Sequence, residues 1–439
     1  MPIRPTEVHQ VLSKYMLADG FDLVLDLHKS HGCQIYDSRH GKYLLDCFSF
    51  FGTAPLGCNH SEMMDPAFIK KIGEIAVNNP SNSDVYTVEM AEFVNTFSAL
   101  AMPKHFKHLF FISGGALAVE NGLKVAFDWK VRKNIAAAKG EKGSQIIHFK
   151  DAFHGRTGYT VSMTNTFNLN KTKYFAKFSW PRIDNPKIVF PMTGKNLEDV
   201  KRREAAALEQ INNAIAKNPD DIAGLIIEPI QSEGGDNHFR QEFFLALRKI
   251  CDKNDIMFIL DEVQTGVGMS GKMWAYQHFG FEPDIVAFGK KTQVCGIMVS
   301  DRVDQAKDNV FQVPSRINST WGGNLVDMVR SQKYFEIIKK EQLIEKAATN
   351  GALVLKGLKE LQEKHPTVIS NVRGLGLLCA FDLPTPEQRD DLKKKIYENG
   401  MVILGCGSKS IRFRPPLVIT AEELTTALST IDHSISSMS

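Results

Sequence analysis

Apolar residues along the chain fall into two alternating kinds of run. Short unbroken runs at 109–112, 146–149, 223–227, 257–260 and 285–288 have the length and composition of buried strands. Two of the intervals between them carry the pattern of a helix with one buried face. The clearer is 116–130, where Leu117, Val119, Leu123, Ala126 and Phe127 supply the apolar side, and 239–254 is the second. The Ala-, Lys- and Gly-rich stretch 131–142 reads as a frayed helix end and a loop. Strands alternating with helices predict an α/β fold with a mostly parallel sheet and helices on both faces.

The two ends of the chain have a different texture. Runs at 33–36 and 43–47 flank a polar turn ending on Gly41, which is a hairpin pattern. FSFFGTAPLGCNH follows (48–60), too aromatic and glycine-rich for a plain surface loop, and is expected to line a pocket or an interface. Beyond about 328, helical patterns cover 328–339 and 342–365. RGLGLL lies within 368–378, and DLPTPEQRDDLKKKIYENG starts another helix. IRFRPPLVI reads as an edge strand closed by prolines. Thr420 caps the last helix, with Glu422 and Glu423 beside its first turn. The expected division is 1–59 as the N-terminal part of a small domain, 60–327 as a large α/β domain, and 328–439 as the rest of the small α+β domain. No internal repeat is visible.

In a parallel sheet, the functional site lies beyond the carboxyl ends of the strands. Polar residues interrupt the apolar pattern at five such places: 113–115, 154–156, 228–233, 261–264 and Lys290. Two of them form a chemical pair. Asp261 ends one strand, and Lys290 and Lys291 follow the next. An acid and an amine at neighbouring strand tips suit pyridoxal phosphate, the acid keeping the pyridine nitrogen protonated and the amine forming a Schiff base. A lone lysine is more often a surface residue, and Lys291 rivals Lys290. The glycine before Lys290 is expected to make a sharp turn that lets the amine lean over the cofactor. Val263 could press on the ring, or simply be core, and Gln264 could reach the ring hydroxyl. Ser113, Gly114, Gly115 and Ala116 precede a helix and leave backbone N–H groups free for a phosphate. The stretch lacks both GxxxxGK[ST] and GxGxxG, which disfavours nucleotide and dinucleotide sites. Phe153 could cover the second ring face, and Arg156 could grip a substrate carboxylate through a bidentate fork.

Composition narrows the alternatives. A net charge of +3, with no long basic block, excludes a nucleic-acid-binding class. The basic run Lys201, Arg202, Arg203 is balanced by Glu198, Asp199 and Glu204 and reads as a solvated helix face. The seven cysteines are scattered with no CxxC pair, so neither a disulfide scaffold nor structural zinc is expected, and no metal site is assigned. Reduced thiols point to the cytoplasm. Cys295 could line the site or pack in the core. The N-terminus lacks the apolar segment of a secretory signal, Glu7 weighs against a mitochondrial leader, and no run approaches the ~20 apolar residues of a membrane span.

The motifs SGGALAVENGLK, AFHGRTGYT, EPIQSEGGD, FILDEVQTGVG, PDIVAFGKK, STWGGN and IRFRPPL occur in this order over nearly the whole chain. In them the sequence resembles the class III, fold-type I aminotransferases. NNPSNSDVY (78–86), KKTQVCG (290–296) and PSRINSTWGGN (314–324) resemble the L-lysine 6-transaminase subgroup. The resemblance implies a large, mostly parallel seven-stranded sheet and pyridoxal 5′-phosphate held covalently by Lys290. It implies phosphate contacts from Gly115 and Ala116, a ring between Phe153 and Val263, Asp261 on its nitrogen and Gln264 on its hydroxyl. Thr320 would reach the phosphate of the neighbouring subunit, which makes the expected unit a homodimer. Arg156 and Arg412 would bind the carboxylates of the substrates, L-lysine and the 2-oxoglutarate/L-glutamate pair. Glu233 would mask Arg412 while lysine is bound and swing away for the dicarboxylate. The residues after Lys290, often small in relatives, are here Lys291, Thr292, Gln293, Val294 and Cys295. 4-Aminobutyrate or ornithine as donor is the alternative, with 48–59 and 78–86 reading the donor's length. A cofactor-dependent racemase or mutase, or a non-catalytic binding protein, would transfer no amine at all.

Overall fold

The computed structural model describes residues 3–438; Met1, Pro2 and Ser439, at the outer ends of the first and last expected domains, lie outside it. Strands β1 (Gln34–Asp37) and β2 (Lys42–Asp46) form the expected antiparallel hairpin. The strands β3 (Phe106–Ile112), β4 (Gln145–Phe149), β5 (Arg182–Ile183), β6 (Ile222–Ile227), β7 (Met257–Asp261), β8 (Ile285–Phe288) and β9 (Cys295–Ser300) make one seven-stranded sheet. Its order is β3-β9-β8-β7-β6-β4-β5. β4 to β8 pair in parallel and only β9 runs against its neighbours. β6, β7, β8 and β9 are buried along their whole length, which is why they read as unbroken apolar runs rather than alternating ones.

β9 escaped the sequence reading. Only three residues separate it from the lysine pair, so its apolar residues ran into the site motif. Its position explains that motif: residues 289–294 are the tight link between two antiparallel strands, with Phe288 opposite Gly296.

The helix after β3 runs over Gly115–Ala136 and does not fray at 130. Asn134 ties its last turn down, donating to the carbonyls of Lys142 and Asp220 at 2.8 Å each. Trp129 is fully buried and donates to the Arg302 carbonyl. Tertiary packing thus carries the helix beyond the point where composition weakens it.

After helices Leu325–Lys340 and Leu343–Lys364 come β10 (Ser370–Leu375), β11 (Leu378–Asp382), β12 (Met401–Val402), β13 (Leu404–Cys406) and β14 (Ser410–Arg412). β12 adds in parallel to β2 of the N-terminal hairpin, so the two chain ends share a sheet. The second small sheet has the order β10-β11-β14-β13. The expected edge strand at 411–419 is therefore wrong. β14 sits between β11 and β13, its Arg412 opposite both Ala380 and Leu404, and the prolines follow the ladder without bounding an edge. The final helix, Ala421–Ser436, is capped by Thr420 in a reciprocal box with Glu423. Among the described residues no helix is long and apolar enough to cross a membrane, and no group of side chains is placed to hold a metal ion.

Candidate active site

The carboxyl ends of β4, β6, β7 and β8 open into a cavity of about 920 Å³. Gly115, Ala116, Phe153, Arg156, Glu233, Asp261, Val263, Gln264, Lys290 and Arg412 all line it. Ten of the eleven residues to which the family resemblance gives a role therefore meet in one place. Thr320 is the exception: it is exposed, on a loop whose main chain is stitched to the 78–86 segment. Ser81 donates to the Thr320 carbonyl at 2.6 Å, Ser83 to that of Ser319, and Asn82 to that of Gly323 at 2.9 Å.

Asp261 ends β7 and is 5% exposed. One oxygen accepts from Val263 N at 3.1 Å, and the other lies 2.8 Å from His154 Nδ1. His154 is buried and its second ring nitrogen has no partner. Glu228, at the end of β6, accepts from the backbone N–H groups of Phe153 (3.0 Å) and Ser232 (3.1 Å). Burial, and then the Asp261 charge, push its carboxyl well above the usual range. Its two hydrogen bonds fix the backbone from which Phe153 projects.

Lys290 follows β8 in a short turn. Gly289 before it is extended, so the expected sharp turn belongs to Lys290 itself, which adopts φ 55°. Gly289 is required for space, since a Cβ there would fall 2.8 Å from Cys295 Sγ. Lys290 Nζ donates to the side-chain oxygen of Gln264. Burial pulls its amine down to about 8, with Arg412 and Arg414 pushing the same way against Asp261 and Glu228. Lys291 turns elsewhere. It is 1% exposed and donates to the main-chain oxygen of Gln264 at 2.7 Å. Cys295 does both things expected of it, lining the cavity and packing in the core.

The aromatic segment after the hairpin closes one side of the cavity. Ser49, Phe50 and Phe51 take left-handed φ values of 41°, 51° and 60°, a strained turn held by its surroundings. At Gly52, which follows, a Cβ would stand 2.7 Å from Gln264 Nε2. Gln264 Nε2 donates to the Phe51 carbonyl and Gln293 Nε2 to that of Thr53, so this turn is bonded directly to the lysine loop.

Arg156 is exposed and makes no ion pair among the described residues. Arg412 is buried, with Nε and Nη1 unpartnered. Its nearest carboxylate, Asp236 at 3.9 Å, is taken by fully buried Arg414. Glu233 is not on Arg412 here: it forms an ion pair with Lys171. Lys171, Asp236 and Arg414 were missed by the sequence reading. Nothing in the polar loop around Lys171 marks it, and the Asp236–Arg414 pair joins positions 178 residues apart.

The residues fit pyridoxal phosphate. Small residues at the N-terminus of Gly115–Ala136 offer free N–H groups, and Gly115 has no room for a side chain, since a Cβ would lie 2.9 Å from Val263 Cγ1. A buried carboxylate, an aromatic face and a lysine amine open onto the same cavity.

Comparison with known proteins agrees. The model of the family described as aminotransferase class-III matches residues 16–435. The L-lysine-epsilon aminotransferase of Mycobacterium tuberculosis is 48% identical over 432 residues, covering 98% of this chain and 95% of that protein. The lysine aminotransferase from M. tuberculosis, solved in its internal aldimine form, superposes with a TM-score of 0.97 at 47% identity, over 99% of both chains. The mitochondrial 4-aminobutyrate aminotransferase of Homo sapiens is 32% identical, over 95% of this chain and 87% of that one. The chain belongs to the class III aminotransferases, which are pyridoxal-phosphate-dependent enzymes.

Proposed function

We propose that this enzyme moves the terminal amino group of L-lysine to 2-oxoglutarate, giving 2-aminoadipate 6-semialdehyde and L-glutamate in two half-reactions. The observation that carries the donor is the full-length likeness to lysine enzymes, far closer than that to the 4-aminobutyrate enzyme. Bound in the cavity, the cofactor supplies an electron sink for the carbon that carries the amine. Asp261 keeps the sink protonated, with His154 orienting the carboxylate. Phe153 and Val263 hold the ring's faces, Gln264 its hydroxyl, and Gly115 and Ala116 its phosphate. Lys290 would anchor the cofactor, and its free, neutral amine would take the proton at the substrate's ε-carbon. Arg156 binds a substrate carboxylate, and Arg412 the α-carboxylate of the dicarboxylate. Glu233 covers Arg412 when lysine is present. Thr320 serves the phosphate of a neighbouring copy, so the working unit is a cytoplasmic homodimer.

A donor panel with 2-oxoglutarate as acceptor tests the substrate. Lysine, ornithine, acetylornithine and 4-aminobutyrate are compared, and the product is identified by mass as the ring-closed form of the semialdehyde. Lysine is expected to lead; a clear preference for another donor replaces it. Arg412→Ala should slow the 2-oxoglutarate half-reaction about 10- to 100-fold more than the lysine half-reaction. Equal losses in single-turnover experiments remove the proposed division between the arginines.

The amine at about 8 also sets a pH dependence. Only the neutral amine would be able to bond to a cofactor aldehyde, and its fraction grows as pH rises through that value. Recombination of the apoenzyme with cofactor should accelerate roughly tenfold between pH 7 and 9 and then level, whereas an ordinary lysine would still be gaining at pH 10. Stopped-flow absorbance distinguishes a plateau from a continued rise.

A further inference from the structure

Arg412 is poised but unmasked. Its side chain is 6% exposed, its backbone is fixed on both sides by β11 and β13, and two of its nitrogens lack partners. A buried guanidinium in that condition needs a carboxylate. Glu233 is the candidate to provide one. It lines the same cavity, and its main-chain oxygen accepts from Gly407 N at 2.8 Å, on the loop just before β14. Its side chain nevertheless points to Lys171, and its second oxygen is buried without a partner. Lys171 closes a short helical turn, Leu169–Lys171, at the cavity wall, with its ammonium 5.7 Å from the centre of the Phe153 ring. Side chains of Lys171 and Glu233 are 29% and 19% exposed, so this pair is weaker than a buried one and can be exchanged.

We propose that Lys171 is the second dock of Glu233. It competes with Arg412 for the carboxylate, holds it aside when a dicarboxylate enters, and so sets the balance between the two half-reactions. This rests on the reading of Glu233 and Arg412 given above. Two cations sharing one movable carboxylate make a balanced switch. With Arg412 as sole partner, Glu233 would stay on it, and every incoming dicarboxylate would have to displace it unaided. Lys171 offsets that cost by supplying the partner that Glu233 moves to.

Glutarate tests this without any reaction, because it carries both carboxylates and no amine. Its affinity for the cofactor-loaded enzyme is measured by calorimetry in the parent protein, K171M, E233Q and the double variant. K171M should weaken glutarate roughly 3- to 10-fold, because Glu233 returns to Arg412. In the E233Q background the same substitution should change nothing. K171R should retain the parent affinity. In steady state, K171M should raise KM for 2-oxoglutarate while leaving kcat and the KM for lysine nearly unchanged. No weakening by K171M overturns the proposal. A loss that persists undiminished with E233Q also overturns it, since Lys171 would then be touching the dicarboxylate directly. Glutarate binding is independent of the donor panel, so a wrong donor and a wrong dock give different failures. If R412A leaves glutarate affinity unchanged, it is the assignment of Arg412 that falls.

Discussion

Alanine at Lys290 leaves a protein that folds but loses at least about four orders of magnitude in turnover, together with the absorbance band near ~400 nm that marks the cofactor's covalent link. Lys290 is the lysine whose amine opens into the cavity between Asp261, Gln264 and Arg412. Burial and two nearby guanidiniums pull it toward the neutral form that its two proposed roles, binding the cofactor and taking a proton, require. Lys291 cannot substitute for it. Its amine is committed to the Gln264 carbonyl, and burial holds it well below the usual lysine range without giving it access to the cavity. K291M should therefore keep the band. Absorbance spectra of the two purified variants after incubation with cofactor decide the matter: a band that survives in K290A and vanishes in K291M reverses the assignment.

The pair that identifies the chemistry could be read from the chain because buried parallel strands are unbroken apolar runs, and their carboxyl ends are the first places a polar residue can appear. Asp261, Glu228, His154 and Lys290 all lie at such ends. Which lysine faces the cavity could not be read so directly. That depends on the left-handed turn at Lys290 and on β9 returning antiparallel, and neither leaves a periodic signal. The edge-strand reading of IRFRPPLVI failed for a related reason: prolines bound the run, but the sheet order that places Arg412 in the interior is set by β11 and β13 elsewhere in the chain. Lys171 was invisible because only a contact with Glu233, 62 residues away, ties it to the site, across loops without a pattern. Sequence reasoning reaches residues that a strand delivers to the site and misses those a loop brings there.

Asparagine at Asp261 should cost about a thousandfold in the chemical steps, roughly 4 kcal/mol, while the apoenzyme remains folded. The substitution keeps the size and shape of the side chain and removes its charge. In the native site, Asp261 is buried, oriented by His154 at 2.8 Å and by Val263 N at 3.1 Å, and placed close enough to Glu228 for its negative charge to help push that carboxyl above the usual range. A protonated pyridine nitrogen is stabilised by that charge, and an amide cannot supply it. Without the proton, the ring loses most of its capacity to accept electrons from the substrate carbon. Each half-reaction draws on that capacity at its own substrate carbon, so the two should slow together, in contrast to the one-sided effect of Arg412→Ala. Glu228, freed of its neighbour's charge, should ionise more readily, but its two backbone N–H donors keep it turned to Phe153 and Ser232, so it cannot move in as a replacement. Single-turnover rates with lysine and with glutamate, beside the cofactor's dissociation constant, give the comparison. Rates within tenfold of the parent at unchanged cofactor affinity would show that the ring needs no acid at this position.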